Sequence, residues 1–169
     1  FCRYVWEYKV ALAIDAVQTM GFNEIQFDYV RFPDNTDQYE ASGDIDFRNE
    51  YGETKAQAIQ RFLMYATDIL HEYGVYVGAD VFGETSGNYV TAYGQYWAAI
   101  SGVVDAIATD HAPHAAHEKE RTLDEAPCGF TGMDLALTLT WQLVREGVIS
   151  EADLHRLWSV RPAEIFNLP

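Results

Sequence analysis

Hydrophobic positions change period several times along the chain. Val5, Tyr8, Leu12, Ala16 and Val17 recur at helical spacing between about Tyr4 and Met20, and Gly21 follows where a C-terminal cap belongs. Glu24 to Phe32 is rich in β-branched and aromatic residues and is closed by Pro33, which cannot continue a central ladder. This predicts a strand with Asp28 inside it, on which Gln26, Asp28 and Val30 share a face. Asp34 to Thr54 holds neither period and reads as a long acidic surface loop. Lys55 to Tyr73 then sets Ile59, Phe62, Leu63, Ala66, Ile69 and Leu70 on one helical face before Gly74.

The second half repeats the alternation. Val75 to Phe82 is a near-continuous apolar run with Asp80 inside it, as expected of a strand covered on both faces. A short helical pattern spans Tyr93 to Ile100, and Val103 to Thr109 reads as another buried strand ending at Asp110. A helix carrying Leu135, Leu139 and Val144 is expected from Thr131, as its cap, to Glu146, with Gly147 closing it. Ser150 and Asp153 have the spacing of a capping box, and Pro162 suits the first turn of one more helix.

Strands alternating with helices predict a single α/β domain over residues 1–169, a partial TIM-type (βα) barrel with parallel strands. A closed eight-stranded barrel takes about 250 residues. The chain therefore reads as a barrel fragment, an open sheet, or one half of a homodimer completing the barrel.

Charge narrows the partners. Eleven Lys and Arg stand against twenty-six Asp and Glu, a formal charge of -15 that disfavours nucleic acid and anionic membrane surfaces. Small molecules are the better candidates. No apolar run approaches the roughly 20 residues of a membrane span, and the two cysteines, Cys2 and Cys128, announce neither a disulfide framework nor a zinc spacing. A cytoplasmic location is the expectation.

Asp28, Asp80 and Asp110 each fall within or at the end of a predicted strand, where active sites of α/β folds lie. Two carboxylates flanking a sugar bond can act as acid and as base or nucleophile, which suits Asp28 and Asp80, and Glu84 in the following loop is a further candidate acid. The competing reading is structural carboxylates paired with a neighbour such as Arg31. His111, His114 and His117 follow Asp110 closely, and this set could bind a divalent metal or an anionic substrate group, or be a solvated loop.

The run Gly-Phe-Asn-Glu-Ile-Gln-Phe-Asp-Tyr-Val-Arg-Phe-Pro, residues 21–33, resembles the hallmark of a glycoside hydrolase family built on a (βα) barrel. The resemblance reaches back through Val5-Trp6-Glu7-Tyr8 and forward through Gly78-Ala79-Asp80-Val81-Phe82-Gly83 to about residue 103. It implies that Asp28, Arg31 and Asp80 line a carbohydrate pocket. Residues 104–114, Val-Asp-Ala-Ile-Ala-Thr-Asp-His-Ala-Pro-His, resemble instead the last barrel strand of dihydroorotases in the amidohydrolase superfamily, and that likeness runs on to Leu168-Pro169. It implies Asp110 as metal-site carboxylate and proton carrier and zinc as its cofactor. It also implies His114 as holder of a substrate carboxylate and backbone contacts from Pro127 and Gly129 to a pyrimidine ring.

The first-strand His-x-His pair and the remaining metal ligands of a dihydroorotase are absent from this chain. The change of resemblance at about residues 101–107 leads to the expectation of a chimera, engineered ahead of natural. The leading functional expectation is glycoside hydrolysis by Asp28 and Asp80. A metal-dependent cyclic amidohydrolase remnant using Asp110 and His114, and a non-catalytic self-associating scaffold, stand as alternatives.

Overall fold

The computed structural model describes residues 2–33, 35–81, 90–107, 111–122, 125–127, 129 and 131–169. Expected site residues Glu84 and Asp110 lie outside them, as do Cys128 and the ends of the second and third predicted strands.

Three parallel strands form one sheet in the order β1 (Glu24–Phe27), β2 (Tyr76–Ala79), β3 (Ala106–Ile107). Helix α1 (Arg3–Met20) leads into β1, and Gly21 closes it at φ 72°, a left-handed conformation in which a Cβ would be strained. Helix α2 (Thr36–Ser42) follows β1, and α3 (Lys55–Glu72) carries the chain over to β2. Thr54 and Gln57 close a reciprocal capping box at the start of α3, satisfying two otherwise unpaired backbone donors. Helices α4 (Trp97–Ile100), α5 (Ala116–Lys119), α6 (Met133–Arg145) and α7 (Glu151–His155) complete the chain with a π turn over Arg156–Val160 and α8 (Arg161–Ile165). The protein is thus mixed α/β with a small parallel sheet, and the described residues do not close a barrel.

Register sorts the sheet into two chemically different faces. Ile25 pairs with Val77, and Phe27 with Ala79 and through it Ile107, so these apolar side chains share the helix-covered face. Val77 joins Ala13, Leu70 and Val75 in one core cluster. Ala79 joins a larger one that includes Leu63, Trp97, Ile100, Leu143 and Leu157. On the opposite face stand Glu24, Gln26, Tyr76, Gly78 and Ala106. Gln26 is exposed there, while Glu24 and Tyr76 are half-buried.

Several sequence expectations need correction. The first strand is four residues long and stops before Asp28, because Tyr29 takes a left-handed φ of 54° that no strand continues through. The acidic stretch after Pro33 is not all loop, since α2 occupies Thr36–Ser42. Helix α1 turns Val10, Ala13, Ile14 and Val17 inward and leaves Val5, Tyr8 and Leu12 about half exposed. In the same way α6 buries Thr140 and Leu143 and leaves Leu135 and Leu139 outward. Of the positions at helical spacing, Val17 and Val144 do pack against the core, so the period located both helices without fixing which of their apolar positions face inward. The cap of α6 is Gly132 rather than Thr131, and His111 Nδ1 accepts the Met133 N–H at 3.1 Å. The Ser150–Asp153 capping box and the placement of Pro162 in the first turn of α8 are as expected.

Candidate functional site

A cavity of about 840 Å³ opens at the carboxyl end of β1, between the start of α1 and the first turns of α3. Its size is that of a small-ligand site. Trp6, Phe27, Tyr29, Phe32, Phe47 and Phe62 give it aromatic walls, with Asp28 and Arg31 among its polar lining. Trp6 and Phe62 pack with ring centroids 5.8 Å apart, and Phe62 meets Phe27 edge-on at 5.1 Å. Phe32 and Phe47 make a second edge-on pair at 5.2 Å. Such contacts fix ring orientation as well as burying area.

The backbone at the mouth of β1 is held by its own side chains. Asp28 Oδ1 accepts the Tyr29 N–H at 2.7 Å, and the Arg31 N–H reaches back to the Tyr29 carbonyl at 2.7 Å. This turn redirects the chain and leaves Asp28 exposed on the cavity wall. The Arg31 guanidinium lies 4.7 Å from the Tyr29 ring centroid and 5.4 Å from that of Tyr93, a stacked placement that limits its freedom. Gln95, almost fully buried, donates through Nε2 to the Val30 and Asp80 carbonyls at 3.1 and 3.4 Å, tying the segments after β1 and β2 together.

Asp80 follows β2 directly, and its N–H donates to the Phe27 carbonyl at 3.0 Å, so it stands beside Asp28 at the carboxyl end of the sheet. Its Oδ1 accepts Gln26 Nε2 at 2.5 Å. Gln26 borders the cavity and Asp80 stands behind it. The structure therefore brings Asp28, Arg31 and Asp80 to one end of the sheet.

Three acidic residues that spacing did not single out shape this region. Burial pushes the Glu24 carboxyl above the usual range, and the charges of Asp105 and Asp80 push it further. Burial also pushes Glu53 up, but the Arg3 and Arg61 guanidiniums outweigh it and hold the carboxyl below the usual range. Arg3 in turn stacks on Trp6 at 3.6 Å, so the Glu53 cluster supports one wall of the cavity. Asp105 is buried and bonded to His71 and to the Val77 N–H, bracing β2 against β3. A carboxylate's partners lie far off in sequence, so spacing gave no signal for any of the three.

A second cluster gathers His114, Pro127 and Gly129. A Cβ on Gly129 would sit 3.3 Å from His114 Nε2, and Lys119 Nζ donates to the carbonyls of Pro127 and Gly129 at 2.6 and 2.5 Å. Those carbonyls are thus already engaged by the protein. Among the described residues no group of three or more His, Cys, Asp or Glu side chains is placed to hold a metal ion, and His111 spends Nδ1 on the α6 amide. The described residues do not fit a zinc centre, while Asp110, the expected metal carboxylate, lies outside them.

A family described as a putative glycosyl hydrolase domain matches residues 1–124. The chain belongs to this family. The matched residues include α1, all three strands and every residue lining the cavity. The chain is also similar to curated dihydroorotases: 47% identical over 68 residues to that of Anaeromyxobacter dehalogenans (strain 2CP-1 / ATCC BAA-258), and 46% over 68 residues to that of Syntrophus aciditrophicus (strain SB). Each match takes in 40% of this chain and 16% of the relative. The dihydroorotase of Latilactobacillus sakei subsp. sakei (strain 23K) is 45% identical over 75 residues, covering 43% of this chain and 18% of the relative. The chain spans about a sixth of the length of these relatives. The glycosyl hydrolase match continues past the expected switch at residues 101–107 and must overlap the dihydroorotase match, so the comparisons lend no support to a chimeric junction there.

Proposed function

We propose that the chain is a glycoside hydrolase-type domain that binds a saccharide in the aromatic cavity at the carboxyl end of β1. The observation that carries this reading is the placement of Asp28 and Arg31 on the wall of that cavity within the matched family region. Sugar rings present flat C–H faces that pack on aromatic side chains, and their hydroxyls need fixed polar partners at the edges. Asp28 and Asp80 are the carboxylates that would flank a scissile bond, one protonating the leaving oxygen and the other acting as base or nucleophile. Glu84 follows β2 in sequence and is a further candidate acid.

We further read the sheet as a sector of a (βα) barrel. Consecutive parallel strands in the order β1-β2-β3, with helical crossovers and a polar face opposite the helix layer, support it. Titration with xylo-, gluco- and galacto-oligosaccharides, followed by tryptophan fluorescence and by release of reducing ends, tests the reading. Binding is expected, with hydrolysis abolished and binding largely retained in Asp28→Asn and Asp80→Asn. A chain that binds no saccharide would overturn it.

The cluster of His114, Pro127 and Gly129, with the 47% identical dihydroorotase match, favours a second reading in which that loop receives a cyclic amide or carboxylate ligand. Dihydroorotate titration followed by the His114 imidazole signals tests it. Unchanged signals at millimolar ligand, with and without zinc, would exclude it.

A further inference from the structure

We propose that the saccharide taken by this cavity carries a carboxylate, making it a uronate, and that Lys9 and Arg48 together with Arg31 recognise that charge. The proposal rests on the reading of the cavity as a saccharide site and names the class of sugar.

The chain carries a formal charge of -15 and only eleven Lys and Arg, yet Lys9, Arg31 and Arg48 all line this one cavity, against Asp28 and Asp46. Among the described lining residues cations outnumber acids, the reverse of the chain as a whole. Elsewhere nearby, basic side chains are matched with acids: Arg3 and Arg61 with Glu53, Lys55 with Asp37. Among the described residues, neither Lys9 nor Arg48 has a carboxylate within 4.0 Å. Both are exposed.

The two lining acids are meanwhile turned to local backbone. Asp46 Oδ1 accepts the Arg48 N–H at 2.7 Å, and Asp28 Oδ1 accepts that of Tyr29 at the same distance. Asp46 thereby fixes the tight turn in which Arg48 takes a left-handed φ of 49° and joins the cavity lining. Charge screening limits the reach of the negative surface to about 8 Å at physiological salt, so the groups at the rim dominate what a bound ligand senses. Aromatic walls with the exposed Lys9 and Arg48 on the same lining fit a sugar ring bearing an anionic group. They fit an inorganic anion less well, since it would gain nothing from the walls.

The test uses the full chain and paired trisaccharides of the same hexose, galactotriose against trigalacturonate and glucotriose against triglucuronate, titrated calorimetrically at 20 and 150 mM salt. A uronate is expected to bind about tenfold more tightly than its neutral counterpart, with the preference shrinking as salt rises. Lys9→Gln/Arg48→Gln, altered only at exposed positions, is expected to lose that tenfold preference and keep its affinity for the neutral sugar. Neutral sugars binding as tightly as uronates, or a preference unchanged in the double variant, would overturn the uronate assignment and leave the saccharide reading intact. Failure of every sugar to bind would overturn both.

Discussion

His71 and Val77 share one oxygen of Asp105. The imidazole Nε2 of His71, at the end of α3, lies 2.9 Å from Asp105 Oδ2, and the Val77 N–H donates to the same atom at 2.9 Å. Arg161 Nε approaches the other oxygen at 3.6 Å. One buried carboxylate thus fastens a helix end, the central strand and the C-terminal helices.

Removing that carboxylate leaves a backbone donor inside the sheet without a partner. Asp105→Ala is expected to lower the stability of the fold by about 1–3 kcal/mol, the cost of a buried unsatisfied group. Asp105→Asn, which keeps an oxygen for Val77, is expected to lose less. Urea denaturation followed by far-UV circular dichroism measures both, and equal losses would show that the shared oxygen does not matter.

Acid should weaken the wall behind the cavity. The folded Glu53 carboxyl titrates below its unfolded range, so the unfolded chain takes up its proton first as pH falls. The stability it contributes is fully present above about pH 4.5 and is lost as pH drops through the depressed folded value. Denaturation midpoints of the native chain and Glu53→Gln should differ at pH 7 and draw together as pH falls below 4.5 through the depressed folded value.

Glu24 carries the opposite sign. Its folded carboxyl is raised, so the native state binds the proton more tightly, and stability falls as pH rises from the unfolded value of about 4.5 to the raised folded one, above which the loss is complete. Glu24→Gln is therefore expected to raise stability at pH 7 and to have no such benefit below about pH 4. A variant less stable at pH 7 than the native chain would show that the charge is needed rather than tolerated.

Gly129 is the close-approach position of the second cluster. It takes φ 108°, and an added Cβ would lie 2.7 Å from that of Ala112 and 2.9 Å from its carbonyl oxygen. Gly129→Ala is expected to cost about 1–3 kcal/mol and to shift the His114 ring signals in a heteronuclear spectrum. Unmoved His114 signals would mean that the two loops do not pack in solution as they do here.

The sequence by itself determined the alternation of α1, β1, α3, β2 and β3, because caps and periods are local. Gly21, Gly74 and Gly147 end turns that demand left-handed backbone, the Ser150–Asp153 box forms within one turn, and the α3 stripe of Leu63, Ala66 and Leu70 is the buried one. The Gly-Phe-Asn-Glu-Ile-Gln-Phe-Asp run likewise carried the resemblance to the family that matches residues 1–124, and it contains the whole of β1.

Only the tertiary structure decided which stripe of α1 and α6 is inward, since a helix apolar on most sides has no unique face until neighbours cover one. It decided that β1 ends at Phe27, where the Tyr29 turn stops the ladder, and so set Asp28 on a cavity wall instead of within a strand. Glu53 between Arg3 and Arg61, Asp105 against His71, and Lys9 and Arg48 on one cavity lining are likewise products of packing. A charge's environment is assembled from residues distant along the chain, and only the folded backbone brings them within reach.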